Sequence, residues 1–248
     1  MRIRGYAEGT PCWAELCAPD PDVAAAFYQG LFGWQVEDGV FRLGGLAVAG
    51  LRTGPVPPGW LTYVATDDVA ELGKRVADGG GTVVDPPAEL GDLGRRALFR
   101  DAAGAVFGGW QRRTLAGAQV AAEPDTVCWS DLAADERAAV AFYGKLFGWT
   151  VQPGALAPER EYRDLAVHGR VVAGLIPLPP ERAGAAQWWT TIEVSDRTAT
   201  VQRCLDLGGR VALGSVNVPV GGYSRLADPL GASFGVIELI PHLRGWSS

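Results

Sequence analysis

The same stretch occurs twice in this chain. Residues 12–34 read CWAELCAPDPDVAAAFYQGLFGW, and residues 128–149 read CWSDLAADERAAVAFYGKLFGW, one residue shorter. Two copies of one pattern of apolar, turn and stop residues bury the same face in the same way, so the repeat divides the chain into two similar halves before any other feature is read. Each copy opens with alternation, Trp13, Glu15 and Cys17 against Ala14, Leu16 and Ala18, which is strand spacing. An Asp/Pro cluster stops the strand, the run from Val23 to Phe32 is apolar at helical spacing, and Gly33 ends it. The unit is strand, turn, helix.

Further along each half the scheme recurs. Trp60 to Ala65 reads as a strand and Val69 to Ala77 as a helix stopped by Gly79-Gly80-Gly81. Strands follow at Thr82 to Val84, Arg96 to Arg100 and Ala105 to Trp110. The second half gives a strand at Cys128 to Leu132, a helix at Ala138 to Leu146, and strands at Tyr162 to Val167 and Val171 to Leu175. A strand at Trp189 to Val194, a helix at Ala199 to Leu207, and strands at Val211 to Leu213 and Tyr223 to Ala227 complete it. DAAGAVFG at 101–108 matches DPLGASFG at 228–235. Each module is therefore one strand, one helix and about three strands; the helix crossover permits parallel pairing and the short later turns imply antiparallel neighbours. The expectation is an α+β fold of four βαβββ modules in two tandem halves, with curled mixed sheets, concave pockets and helices on the outer face. Residues 1–115 form the first domain, 116–123 the linker and 124–248 the second domain.

A formal net charge of -6, with no Lys/Arg run longer than a pair, argues against a nucleic-acid partner. No apolar run approaches the length that spans a bilayer, and the start MRIRGYAEGTPCW lacks a signal-peptide core, so no membrane partner and a cytoplasmic location are expected. Cys12, Cys17, Cys128 and Cys204 then read as reduced, buried packing residues. Of the two histidines, His168 reads as an exposed hairpin residue and His242 as part of the tail.

The motif of a strand, an Asp, then FY-x₂-LFGW, together with D-x-x-G-A-x-F-G, resembles the modules of the vicinal oxygen chelate superfamily. That superfamily includes glyoxalase I, extradiol dioxygenases, fosfomycin-resistance enzymes and bleomycin-binding proteins. The chain is most similar to the two-domain glyoxalase-like subgroup often labelled hydroxylase, to which a mycobacterial antigen belongs. The resemblance implies a divalent metal held by His, Gln or Glu on first strands, seven residues before the Asp, and by a Glu on a last strand. Counting back from Asp20, Asp67 and Asp196 gives Trp13, Trp60 and Trp189, and alignment gives Trp129. Counting on from Asp101 and Asp228 gives Gly108 and Gly235. No ligand stands at any of these positions, and neither a metal nor another cofactor is expected.

Period-2 geometry aims Trp13, Glu15, Trp129, Asp131, Trp189, Thr191 and Glu193 at the concave side, with Trp60 and Thr62 from the second module. Glu15, Asp131 and Glu193 are the candidate acid/base residues; Trp13, Trp60, Thr62, Trp129, Trp189, Thr191 and Tyr223 are the candidate substrate-binding residues. An indole beside a carboxylate desolvates its charged form and raises its pKa toward the range useful for proton transfer. Ion pairing of the acids with strand arginines such as Arg42 or Arg163 is the competing structural reading. Two functions follow. One is a metal-independent isomerase, cyclase or lyase acting on an aromatic or polycyclic small molecule in bacterial secondary metabolism; the other is a non-catalytic protein that sequesters such a molecule. A monomer is expected because one chain already holds paired modules, with a homodimer left open.

Overall fold

The computed structural model describes residues 2–54, 56–155 and 161–243; the ends of the two expected domains, at Met1 and at residues 244–248, lie outside them. The first half runs β1 (Pro11–Cys17), α1 (Pro21–Phe32), β2 (Gln35–Glu37), β3 (Val40–Leu43), β4 (Leu46–Arg52), β5 (Gly59–Ala65), α2 (Val69–Asp78), β6 (Thr82–Leu90), β7 (Gly94–Arg100) and β8 (Val106–Arg112). The second runs β9 (Val127–Ala134), α3 (Glu136–Phe147), β10 (Thr150–Pro153), β11 (Arg163–Val167), β12 (Arg170–Pro177), β13 (Gln187–Glu193), α4 (Arg197–Asp206), β14 (Arg210–Val218), β15 (Gly221–Ala227) and β16 (Ser233–Leu239). Strand order is β2-β3-β4-β1-β5-β8-β7-β6 in one eight-stranded sheet and β10-β11-β12-β9-β13-β16-β15-β14 in the other, the same order twice. The helix crossovers give the parallel pairs β1·β4, β5·β8, β12·β9 and β13·β16, and the remaining pairs are antiparallel.

The Asp that follows each first strand is a helix cap. Asp20, Asp68, Asp135 and Asp196 accept hydrogen bonds from the first-turn amides of α1, α2, α3 and α4, satisfying donors that no helical carbonyl can reach. Gly33 and Gly148 end α1 and α3 in the left-handed region, at φ 74° and 73°, where a Cβ would be strained. The short strands β2 and β10 are missing from the sequence reading because they are almost wholly exposed and show no alternation. For the same reason β6 and β14 were expected as three-residue strands and are nine residues long. Both are sheet edges, which is where β6 tolerates Pro86 and Pro87.

The helices lie on the outer face of each curled sheet, and those outer faces pack against each other. One core joins α1 and β1 to Ile192, Cys204, Leu226 and Phe234 of the fourth module, and another joins Val69, Leu72 and Phe107 of the second module to α3. The two repeated motifs meet across this boundary. Tyr28 of the first FY donates to Asp228, and Tyr143 of the second FY donates to Asp101 at 2.9 Å. Each tyrosine also accepts an indole N–H at 3.0 Å, from Trp60 and Trp188 respectively. Trp34 and Trp149, the last residues of the two LFGW runs, donate to Asp125 O and Gly9 O at 2.7 Å. A buried phenol or carboxylate without a partner costs about 1–3 kcal/mol, so these bonds fix how the halves dock. The motif that announced the repeat is thus the fastening between its copies.

The linker is not a free tether. Ala118 N donates to Cys12 O and Gln119 N to Ala47 O, while Leu115 and Ala118 close over the inner face of the first sheet. Among the described residues no helix is long and apolar enough to cross a membrane.

Candidate functional site

The inner face of the first sheet is filled. Trp13 lies against Trp110 at 6.2 Å between ring centroids, and both sit in a core with Leu61, Tyr63, Leu98 and Leu115. Glu15, 1 % exposed, reaches over Gly50, where an added Cβ would meet its Cγ at 2.9 Å. Its carboxylate accepts from Tyr63 OH at 2.5 Å, forms a short ion pair with Arg96, and lies 3.8 Å from Arg52. Arg52 in turn holds Asp85 at 2.5 Å. Burial pushes the Glu15 carboxyl up, and Arg96, Tyr63 and Arg52 pull against it. This acid is tied into a closed network.

The inner face of the second sheet holds the same framework with different occupants. Asp131 lies over Gly174, opposite Trp189 on β13. Its Oδ1 accepts from Tyr162 OH at 2.8 Å and Trp129 Nε1 at 3.1 Å, and Trp129 Nε1 also reaches Tyr162 OH at 2.9 Å. Oδ2 accepts nothing from the described residues. Burial pushes the Asp131 carboxyl up to about 6, opposed by Tyr162, Trp129 and the more distant charge of Arg225. Arg225 stacks on the Trp189 indole, its guanidinium carbon 3.4 Å from the ring centroid. Tyr223 and Thr191 close over Gly235. Trp129, Asp131, Tyr162, Trp189, Tyr223 and Arg225 are all half-buried. Among the described residues no apolar cluster covers this face as one covers the first.

The structure therefore brings Trp129, Asp131, Trp189, Thr191 and Tyr223 together, and places Trp13 and Glu15 inside a core. Glu193, 1 % exposed, is further along β13, near enough to Cys128 to help push that thiol up. Trp60 and Thr62 do not face the concave side. Trp60 sits in the core between the halves, and Thr62 donates to Ser130 there at 3.3 Å. The reason is the Asp67-Asp68 pair: Asp68 is the cap, so counting from Asp67 shifted the strand by one residue and turned its faces over. Leu61 and Tyr63 are the inward residues. Cys128, expected to be buried, is half-buried, its Sγ 3.5 Å from Thr191 O. His168 is the exposed turn residue expected, at φ 52°.

The sequence reading missed Arg225 and left Tyr162 unplaced. A signal existed for Arg225: counting back from the matched Asp101 and Asp228 sets it against Leu98, a cation where the other copy has a core residue.

The residues at the positions where the resemblance puts metal ligands do not fit a divalent metal. On first strands they are Trp13, Leu61, Trp129 and Trp189, which donate no lone pair. On last strands they are Gly108 and Gly235. A side chain at Gly108 would collide with the Tyr63 ring, and one at Gly235 would meet Thr191 Oγ1 and Tyr223 at 2.7 Å. Among the described residues no three of His, Cys, Asp and Glu converge.

Comparison with known proteins agrees with this architecture. Residues 12–108 match the model of the Glyoxalase/Bleomycin resistance protein/Dioxygenase superfamily, and residues 126–237 match that of the Glyoxalase-like domain. The anthracycline biosynthesis protein DauV of Streptomyces sp. (strain C5) is 34% identical over 265 residues, 94% of each chain. The CFP32 protein of Mycobacterium tuberculosis is 35% identical over 256 residues, 95% of this chain and 97% of its own. The Mn(II)-bound glyoxalase from Novosphingobium aromaticivorans superposes with a TM-score of 0.61 over 94% of this chain and 84% of its own; at 18% identity it bears on the fold alone. With both halves matched and relatives similar along nearly their full length, this chain belongs to the glyoxalase/bleomycin resistance/dioxygenase superfamily.

Proposed function

We propose that the protein is a metal-independent enzyme of this fold that isomerises, cyclises or eliminates from an aromatic or polycyclic small molecule in secondary metabolism, with Asp131 as its proton-transfer group. The observation that carries this reading is the state of Asp131. Both of its hydrogen bonds fall on Oδ1, Oδ2 is left for a ligand, and burial raises the carboxyl to about 6. Such a group is mostly ionised at neutral pH yet more basic than an ordinary aspartate. Oδ2 takes a proton from a carbon next to a carbonyl: the C–H bond breaks, its electron pair forms a C=C bond, the carbonyl π pair moves onto oxygen to give an enolate, and an O–H bond forms on Asp131. Return of the proton at another atom completes an isomerisation with no oxidant or reductant. Trp129 and Trp189 give a flat molecule two aromatic neighbours, and the relatives named for anthracycline biosynthesis support the polycyclic class. Glu15 serves the structure in this reading, because an acid locked to Arg96 inside a core has no access to substrate.

The test is solvent-deuterium exchange and rearrangement of anthracycline-type aromatic polyketides, followed by NMR. Asp131→Asn is expected to lower the rate roughly 10²-fold with little change in affinity. Full turnover by Asp131→Asn sinks the assignment. Sequestration is the second reading, favoured by the aromatic platform, which needs no base to hold a flat ligand. It predicts tight binding with no exchange in the unaltered protein.

A further inference from the structure

Arg225 is a cation of the second inner face that makes no ion pair among the described residues, with Asp131 feeling its charge from further away. Trp129, Thr191, Gly235 and Arg225 lie in one row across β9, β13, β16 and β15. Gly235 has no side chain, so the row is interrupted beside Arg225, whose guanidinium leans onto the indole of Trp189. Among the described residues no carboxylate comes within 4.0 Å of it, and its Nε is buried without a hydrogen-bond partner. The guanidinium also interacts with the Tyr223 hydroxyl. Held flat by stacking, half-buried and with Nε still unpaired, it is a receptor for an oxyanion. Trp189 is also the residue directly opposite Asp131, so the ring that carries the guanidinium neighbours the base, which feels the Arg225 charge without forming an ion pair with it.

We infer that Arg225 is the oxyanion-binding residue of this face, and that its ligand is a planar aromatic compound carrying an ionised enol or phenol oxygen. This deepens the proton-transfer reading and rests on the same site: the carbonyl π pair displaced when Asp131 removes a proton ends on the oxygen, and the guanidinium holds that O⁻. The first half cannot bind in this way, because Leu98 stands at the matching position and Arg96 is already paired with Glu15.

The experiment measures equilibrium binding of 2-hydroxy-1,4-naphthoquinone, an anion at neutral pH, against its 2-methoxy analogue, which does not ionise, by tryptophan fluorescence on the full chain. The hydroxyquinone should bind about tenfold or more tightly than the methoxy compound. Arg225→Gln should remove that preference while leaving affinity for the methoxy compound within about threefold, and Arg225→Lys should restore part of it. Equal affinities in the unaltered protein, no measurable binding of the hydroxyquinone, or a preference that survives Arg225→Gln would each overturn the inference. Asp131→Asn separates it from the catalytic reading. If that variant keeps both the anion preference and full turnover, the catalytic role fails and the oxyanion site stands; if it loses turnover while Arg225→Gln keeps the preference, the reverse holds.

Discussion

Glu15 and Asp131 occupy the same place in two copies of one fold, each on the first strand of its half, each over a glycine of the neighbouring parallel strand. Around Glu15 the copy supplies Arg96 and Tyr63; at the matching positions around Asp131 stand Tyr223 and Thr191, with Arg225 where the first half has Leu98. Moving the guanidinium by two residues along one strand takes it out of reach of the acid and lays it on an indole. The first acid becomes half of a buried ion pair, the second a half-buried group with a raised pKa and a spare oxygen. A buried ion pair is weak evidence for net stability, yet breaking one by removing a single partner is costly. The duplication thus gives two different inner faces: one is packed as a core, and the other keeps Trp129, Asp131, Trp189 and Arg225 half-buried.

The largest effect that tests this contrast is on stability. Arg96→Ala strands the Glu15 carboxylate in a core and should cost about 3 kcal/mol or more in urea unfolding, whereas Arg225→Ala removes a cation that stacks on Trp189 and touches the Tyr223 hydroxyl but makes no ion pair, and should cost less than about 1 kcal/mol. Equal losses would break the comparison. Next come the two glycines. Gly108→Ala forces a Cβ against Tyr63, which is 0 % exposed and has nowhere to move, and should cost roughly 1–3 kcal/mol in the same assay. Gly235→Ala meets the half-buried Tyr223 and the buried Thr191 Oγ1 at 2.7 Å, a milder clash than at Gly108, and should cost less than Gly108→Ala in the same assay. The smallest effect is a pH dependence. The Asp131 carboxyl is raised from 3.8 to about 6, so its contribution to stability is fully present below pH 3.8 and is lost as pH rises through about 6. Asp131→Asn should therefore gain in melting temperature over the unaltered protein between pH 4 and 7, by a few degrees at most given its partial exposure. Turnover should rise over the same interval as the base ionises, and a flat melting difference across it would deny Asp131 its raised pKa.

Much of the fold was legible because its signals are local. The strand alternation of β1 and β9, the Asp caps and the glycine stops each depend on residues within one turn or one strand, so four modules were readable along the chain. Legibility failed where a local signal was doubled or absent. Asp67-Asp68 offered two caps, and the wrong one inverted β5, sending Trp60 and Thr62 to the wrong face. Exposed edge strands such as β14 carry no burial pattern to read.

The sequence by itself determined the two halves, the order of elements in each module, the inward direction of Glu15, Asp131 and Trp189, and the lack of donors where a metal would be held. Only the tertiary structure decided which acid keeps an arginine. Glu15 and Arg96 are 81 residues apart, on strands β1 and β7, with β5 and β8 lying between them. Whether a long side chain crosses that distance, or turns aside onto an indole as Arg225 does, depends on how a curled sheet brings non-neighbouring strands together. No periodicity along the chain records that meeting, because the reach of a guanidinium is a matter of three-dimensional distance and sequence spacing fixes only the face it starts from.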